Sequence, residues 1–257
     1  MSRRAIRGRR FTGGVPPLQP VIRYNFEAAN LSKDGGNLVA SVTDLGRTGL
    51  TISQGTVARK PLWIDNGSPN SLLDTIACDV DGVNIKTLQA TPSAALFGAA
   101  QGYTVFLVFN RTAGSTTHSL AYYNTGTARG GWQLEFSSNL RSFQARTSAG
   151  TVKSFTFGTY TANTWEIWTI RNWGGGSDDV DSTTWCEARV NGTVTAITGS
   201  PWFWVPTTHS VLLGNATATA GPTLRFAEYR AYSQYMTAPQ CLDIERQLGA
   251  LYGITVA

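Results

Sequence analysis

The chain has 257 residues, of which 42% are hydrophobic and only 14% charged, with eight Trp and a formal net charge of +5. That is enough apolar material for a real core, and the scarcity of charge beside abundant Ser, Thr, Asn and Gly argues against a metabolic enzyme and for a long-lived surface protein. Five of the 21 basic residues (Arg3, Arg4, Arg7, Arg9 and Arg10) fall within residues 1–20, where there is no acid, and the other 16 balance the 16 Asp and Glu. The positive charge therefore belongs to an arm and not to a basic domain, which excludes a nucleic-acid-binding surface spread over the fold.

The arm, residues 1–20, lacks the apolar stretch of a secretory signal. Its Val15-Pro16-Pro17-Leu18-Gln19-Pro20 run predicts a stiff, extended exit. Residues 21–257 then read as one domain. Val21 to Glu27 alternates as a first strand, with Ile22, Tyr24 and Phe26 opposed to Val21, Arg23 and Asn25. Short apolar pieces follow at Leu38–Val42, Leu50–Ser53, Leu72–Cys78 and Val83–Leu88, separated by Gly, Asn and Asp turns, and Ala94 to Ala100 reads as a helical turn. From Tyr103 the pattern sharpens. Tyr103–Phe109 is apolar on both alternating faces, as a centrally buried strand requires. Ser119–Tyr123, Trp132–Phe136, Leu140–Arg146, Val152–Phe157 and Trp165–Arg171 follow at meander spacing. Asn191-Gly192 between two alternating runs, Thr184–Val190 and Thr193–Ile197, predicts a two-residue type I′ hairpin.

Val211–Gly214 gives the penultimate strand and Leu224–Tyr232 the last. A helix then opens on Thr237 as N-cap, with Pro239 in its first turn and Gln240 completing a capping box. Cys241, Ile244, Leu248, Leu251 and Tyr252 share one side, Asp243, Arg246, Gln247 and Ala250 the other, and Gly253 stands where a left-handed C-cap belongs.

The run Phe226-Ala227-Glu228-Tyr229, followed by a T-x-x-Q helix ending in Leu248, Leu251-Tyr252-Gly253-Ile254, resembles the last strand and terminal helix of concanavalin A-like lectin/glucanase domains. Laminin-G-like relatives of this kind occur in phage virion proteins. The resemblance spans roughly residues 21 to 254 and implies an all-β jelly-roll β-sandwich, concanavalin A-like, with a short C-terminal helix and an extended N-terminal arm. It implies no activity, because that architecture serves lectins, hydrolases and structural modules alike.

The chemistry-bearing residues point away from catalysis. Glucanases of this fold place paired acids on one strand as E-x-D-x-x-E; here Glu135, Glu166, Glu187 and Glu228 each stand alone on a predicted strand. For Glu228 a salt bridge or backbone contact is expected. His118 and His209 lack acidic or Cys companions, and no G-x-S-x-G, H-E-x-x-H or P-loop occurs. Cys78, Cys186 and Cys241 suit no disulfide framework; Cys241, on the helix's apolar stripe, is expected buried and reduced. Asp178, Asp179 and Asp181 lie in a Gly-rich loop and, like Asp79 and Asp81, read first as solvated turn acids, with Ca²⁺ as the alternative; no other cofactor is implied.

No run approaches the 18 or so apolar residues of a membrane span. Trp173 beside Gly174–Gly176 is a candidate exposed aromatic; Trp202 and Trp204, with Phe203 between prolines, read either as core or as a glycan or protein contact. The arm's Arg3, Arg4, Arg7, Arg9 and Arg10, with Phe11, suit anchoring in an acidic protein groove better than nucleic acid. The expected protein is a non-enzymatic phage virion component, made in the host cytoplasm. It decorates the particle or joins its head or tail, contacts a capsid or tail protein through the arm, and forms a homo-oligomer there. The alternative is a module that binds a host surface glycan, and a glycan hydrolase stands third.

Overall fold

The structure, a computed structural model, describes residues 18–68, 73–80, 86–90, 102–112, 118–124, 131–137, 139–146, 152–172, 186–199, 210–214 and 221–257. In chain order the strands are β1 (Ile22–Asn25), β2 (Leu31–Asp34), β3 (Leu38–Val42), β4 (Ile52–Ser53), β5 (Leu62–Ile64), β6 (Thr75–Val80), β7 (Thr87–Ala90), β8 (Tyr103–Arg111) and β9 (His118–Asn124). Then come β10 (Gly131–Ser137), β11 (Leu140–Arg146), β12 (Val152–Thr159), β13 (Trp165–Asn172), β14 (Cys186–Val190), β15 (Thr193–Thr195), β16 (Thr198–Gly199), β17 (Ser210–Gly214) and β18 (Gly221–Tyr232). A single α-helix among the described residues, α1 (Ala238–Tyr252), follows β18. The all-β expectation holds, with the helix last.

Every strand pairing is antiparallel. One face of the sandwich runs β1-β18-β8-β13-β14-β15, and the other runs β7-β17-β9-β10-β11-β12-β16. β3, β4, β5 and β6 carry the hydrogen bonding from one face to the other. β18 is the hinge of this arrangement: its first half pairs with β6 and its second with β1, while β8 runs along its opposite side. A bulge between Phe226 and Glu228 separates those halves. It lets Phe226 and Tyr229 both enter the core although three residues apart.

β8 explains why both of its faces are apolar. Tyr103, Val105, Leu107 and Phe109 enter the sandwich core, whereas Phe106 and Val108 lie on the opposite face under α1. The core is joined across the two faces by aromatic rings: Phe157 of β12 meets Trp168 of β13 edge-on at 4.9 Å, and Phe109 meets the same indole at 4.6 Å. An ion pair also crosses, from Arg141 on β11 to Glu166 on β13, with Nε to Oε2 at 2.8 Å and Nη2 to Oε1 at 2.5 Å.

α1 is built as its residues require. Thr237 accepts from the Gln240 amide and its own amide donates to Gln240 Oε1 at 2.8 Å, closing the capping box. Gly253 takes φ +72°, the left-handed cap. Cys241, Ile244, Leu248 and Tyr252 are buried on the sheet, as expected, and the three cysteines are buried and form no disulfide. Glu245 is buried among them, which the apolar pattern does not announce. The Asn191-Gly192 turn also forms, with φ +48° and +85°. The chain's last residues seal it, since the Ala257 amide donates to Asn191 O at 3.0 Å.

Three expectations shift. β2 and β5 arise where the sequence shows no strand pattern, because they are strands of four and three residues in the crossover region, too short to display one, and the side chains of β2 are largely exposed. The piece expected at Val83–Leu88 is observed as β7 from Thr87 to Ala90. The second arm of the Asn-Gly hairpin ends at Thr195 rather than Ile197. Ala94–Ala100 lies outside the described residues.

Candidate functional site

α1 crosses the outer face of the β1-β18-β8-β13-β14 layer, centred on Phe106, Val108, Ile167 and Ala227. On each flank of that apolar strip the sheet carries an arginine–glutamate network, and beside each network a cleft opens. Strand parity dictates this. Arg23, Glu228, Arg230, Thr169, Arg171, Glu187 and Arg189 occupy positions opposite to the core-facing ones, so they emerge under or beside the helix.

The first network is Arg171–Glu187–Arg189–Glu245. Arg171 grips Glu187 with Nε to Oε1 at 3.0 Å and Nη2 to Oε2 at 2.6 Å, and its Nη1 donates to Met236 O at 2.9 Å. Arg189 donates through Nη1 to Glu187 at 3.2 Å and through Nε to both oxygens of Glu245 at 3.0 and 3.1 Å. Thr169 donates its hydroxyl to Glu245 Oε1 at 2.6 Å. Burial lowers the pKa of Arg171 and Arg189, but the hydrogen-bonded carboxylates outweigh it and hold both above the usual arginine value.

The cleft on this side, about 490 Å³, is lined by Arg171, Cys186, Glu187, Val194, Thr195, Ile197 and Tyr235. The Arg171 guanidinium lies over the Tyr235 ring, 4.7 Å from its centre. Partial burial raises the Tyr235 phenol pKa although Arg171 pulls it down, so the hydroxyl is a proton-bearing donor at neutral pH. A half-buried aromatic ring, a fixed charge pair, a threonine hydroxyl and two aliphatic side chains suit a polar, ring-shaped ligand.

The second network centres on Glu228, 1% exposed. Its Oε1 accepts from Arg23 Nε at 2.7 Å and Arg230 Nε at 2.5 Å, and its Oε2 accepts from the Tyr252 hydroxyl at 2.7 Å. Burial pushes the carboxyl pKa up, but the two guanidiniums and the phenol together hold it below the usual carboxylate range. Glu228 is thus the structural acid expected of the last strand, and it ties β1, β18 and α1 together. Beside it a cleft of about 480 Å³ opens between Leu18–Pro20, β1, β18 and α1.

Of the lone strand acids, Glu166 accepts from Arg141 and from Trp168 Nε1 at 2.7 Å, Glu187 from two arginines and Glu228 from two arginines and a tyrosine. All three are engaged in bonds that hold the fold; the side chain of the fourth, Glu135, lies outside the described residues. No group of three or more His, Cys, Asp or Glu suited to a metal occurs among the described residues. The arm residues Arg3, Arg4, Arg7, Arg9, Arg10 and Phe11, the aromatics Trp173, Trp202 and Trp204, and the acids Asp178, Asp179 and Asp181 all lie outside the described residues. The segments carrying those Trp leave the described fold at Asn172 and Gly199, and the first rejoins it at Cys186. Cys186 itself lines the Tyr235 cleft, and Asn172 and Gly199 are close in sequence to its Arg171 and Ile197. The clefts themselves were not legible in the sequence, since each assembles residues from several elements far apart in the chain.

No protein-family model and no curated protein matches the chain. Among solved structures it is similar to the botulinum neurotoxin type G receptor binding domain, with TM-score 0.62 at 10% identity over 90% of this chain and 51% of that one. It is similar also to the binding domain of Paraclostridial mosquitocidal protein 1, with TM-score 0.63 at 10% identity over 91% and 52%. A third is the binding domain of botulinum neurotoxin DC in complex with SialylT, with TM-score 0.58 at 8% identity over 90% and 52%. The chain spans about half the length of these structures. At such identity the likeness is one of fold, a β-sandwich.

Proposed function

We propose that this chain is a non-catalytic recognition module that binds a host surface glycan through the Tyr235 cleft. The observation that carries the reading is the cleft itself. It is a small, preformed depression where Tyr235, Thr195, Val194 and Ile197 surround the fixed Arg171–Glu187 pair. Such a mixture offers a ring face for the apolar side of a sugar and oriented donors and acceptors for its hydroxyls. Trp173, Trp202 and Trp204, on segments that start near the same cleft in sequence, are the proposed additional stacking residues. The engagement of Glu166, Glu187 and Glu228 by arginines supports a binding role over hydrolysis. So does the likeness to receptor-binding sandwiches, one of which was solved with SialylT.

In this reading the module is displayed on a phage virion, docked to a capsid or tail protein by Arg3, Arg4, Arg7, Arg9, Arg10 and Phe11. The charge confined to residues 1–20 favours that division of labour. Multivalent protein on a glycan array tests the recognition half: selective binding is expected, lost in Tyr235→Ala and weakened in Trp173→Ala or Trp202→Ala, with the melting temperature kept. A blank array for folded protein overturns it. Mass spectrometry of purified particles tests the display half, and absence of the chain from the particle overturns that.

A further inference from the structure

The Glu228 network contains more guanidinium than carboxylate. Arg23 and Arg230 both spend their Nε on the same oxygen, Glu228 Oε1, and the other oxygen is taken by Tyr252. Arg230 is further tied to the Tyr232 hydroxyl. Arg23, however, has no hydrogen-bond partner for its two Nη atoms among the described residues, and its side chain is 33% exposed where it lines the 480 Å³ cleft. A guanidinium held by Nε against a buried carboxylate is fixed in orientation and presents its Nη pair as a fork, the geometry that takes a second carboxylate.

The surroundings define the rest of the ligand. Gln19 and Gln247 line the same cleft, and their amides both donate and accept, as sugar hydroxyls do. Tyr232, buried against Phe106, closes the floor. Arg47 reaches this edge too, its amide donating to Pro20 O at 3.2 Å and its Nη2 to Ser233 Oγ at 3.3 Å. Asp243 stands exposed on the helix rim. Among the lining side chains the guanidiniums of Arg23 and Arg230 face Asp243 on the rim, with Glu228 beneath them, so the preference for an anion rests on the oriented Arg23 fork. The volume is that of a small-molecule site.

We propose that this cleft binds an acidic sugar, its carboxylate on the Arg23 fork and its hydroxyls on Gln19 and Gln247. The site is separate from the Tyr235 cleft, on the other flank of α1, and extends the glycan-recognition reading to a second subsite with its own charge preference. Arg23 selects by charge, whereas the Tyr235 cleft carries a neutral, internally paired Arg171–Glu187 couple.

Titration of the full chain with methyl glycosides of glucuronic acid and N-acetylneuraminic acid, against methyl galactoside, tests it by calorimetry or by protein NMR. The acidic sugars are expected to bind and the neutral one to bind far more weakly. Arg23→Gln is expected to weaken the acidic sugar by about 10- to 100-fold, the range for one charge-assisted hydrogen-bond pair. Gln247→Ala, on an exposed helix position, is expected to weaken it a few-fold without affecting folding. Tyr235→Ala serves as the discriminating control and is expected to leave this binding unchanged. Equal binding of acidic and neutral sugars, undiminished binding by folded Arg23→Gln, or no binding of the acidic sugars overturns the proposal. On the array, loss of the acidic glycans in Tyr235→Ala but not in Arg23→Gln would overturn this site while leaving the Tyr235 reading standing.

Discussion

Glu245 is the residue by which the helix is locked to the sheet, and its removal has a calculable cost. It is fully buried, accepts two hydrogen bonds from Arg189 Nε and one from the Thr169 hydroxyl, and so joins α1 to β13 and β14. In Glu245→Ala the charge-assisted contact is lost, about 1.5–3 kcal/mol, and a buried hydroxyl loses its acceptor, about 1 kcal/mol more. Arg189 is not stranded, because Glu187 at 3.2 Å and Gly192 O at 2.6 Å still receive it. That keeps the total near 3–4 kcal/mol, at the lower end for breaking a buried pair. For a domain of this size the melting temperature is expected to fall by roughly 10 °C. Urea denaturation gives the same quantity as a shift in midpoint at constant slope. The double variant Glu245→Leu with Arg189→Met is expected to regain much of the loss, because it removes both charges from the buried layer. A Glu245→Ala protein within about 0.5 kcal/mol of the parent would refute the view that this ion pair latches the helix.

Four further outcomes are expected. Glu228 has its pKa depressed by folding, so the stability it contributes is complete above the unfolded carboxyl value, about 4.3, and is lost as pH falls through the lower folded value; acid titration of the unfolding free energy should show a decline there that Glu228→Gln flattens. Burial pushes the Cys241 thiol up to about 12, so its stabilising contribution is complete below the unfolded thiol value, about 8.5, and lost as pH rises toward 12; native protein should resist a thiol reagent at Cys241, and Cys241→Asp should cost several kcal/mol, on the order of 3–5. Gly192→Ala places a methyl 2.6 Å from Val256 Cγ1 at φ +85°, and is expected to cost upwards of about 1 kcal/mol by thermal melting and to loosen the C-terminal residues in hydrogen exchange. Deleting residues 1–17, the part of the 1–20 arm outside the described residues, should leave the melting temperature nearly unchanged and, on the proposed reading, abolish particle attachment; a large drop in melting temperature would refute the independence of that part.

The parts of this fold that were legible in the sequence are those whose signals are local. Thr237, Pro239, Gln240 and Gly253 delimit α1 because capping bonds form within four residues of one another. Asn191-Gly192 declares its turn because two successive positive φ values exclude most other residues. Tyr103–Phe109 announces a doubly covered strand because both faces must be apolar, though not that one cover is a helix. Glu245 was not legible, because its burial depends on Arg189 and Thr169, 56 and 76 residues away in the chain. The Arg23–Glu228 bond, spanning 205 residues, was legible only as a general expectation that Glu228 has a structural partner.

The two networks also bear on the proposal that this sandwich recognises a ligand without chemistry. Catalysis by carboxylates needs an acid whose proton is exchangeable with the substrate, and hence one with a free oxygen facing the ligand. Both oxygens of Glu166, Glu187 and Glu228 already accept from arginine, indole or phenol donors. Those acids fix the guanidiniums instead. Arg171 is held by Glu187 and by Met236 O, so its position over Tyr235 is preset, and Arg23 is held by Glu228 so that only its outer fork is left to a ligand. Groups preset in this way lose little freedom on binding, and the cost of orienting them has already been met in folding. On the proposed reading, Glu187 and Glu228 position the cations beside the two clefts, and α1 covers the sheet between the two networks.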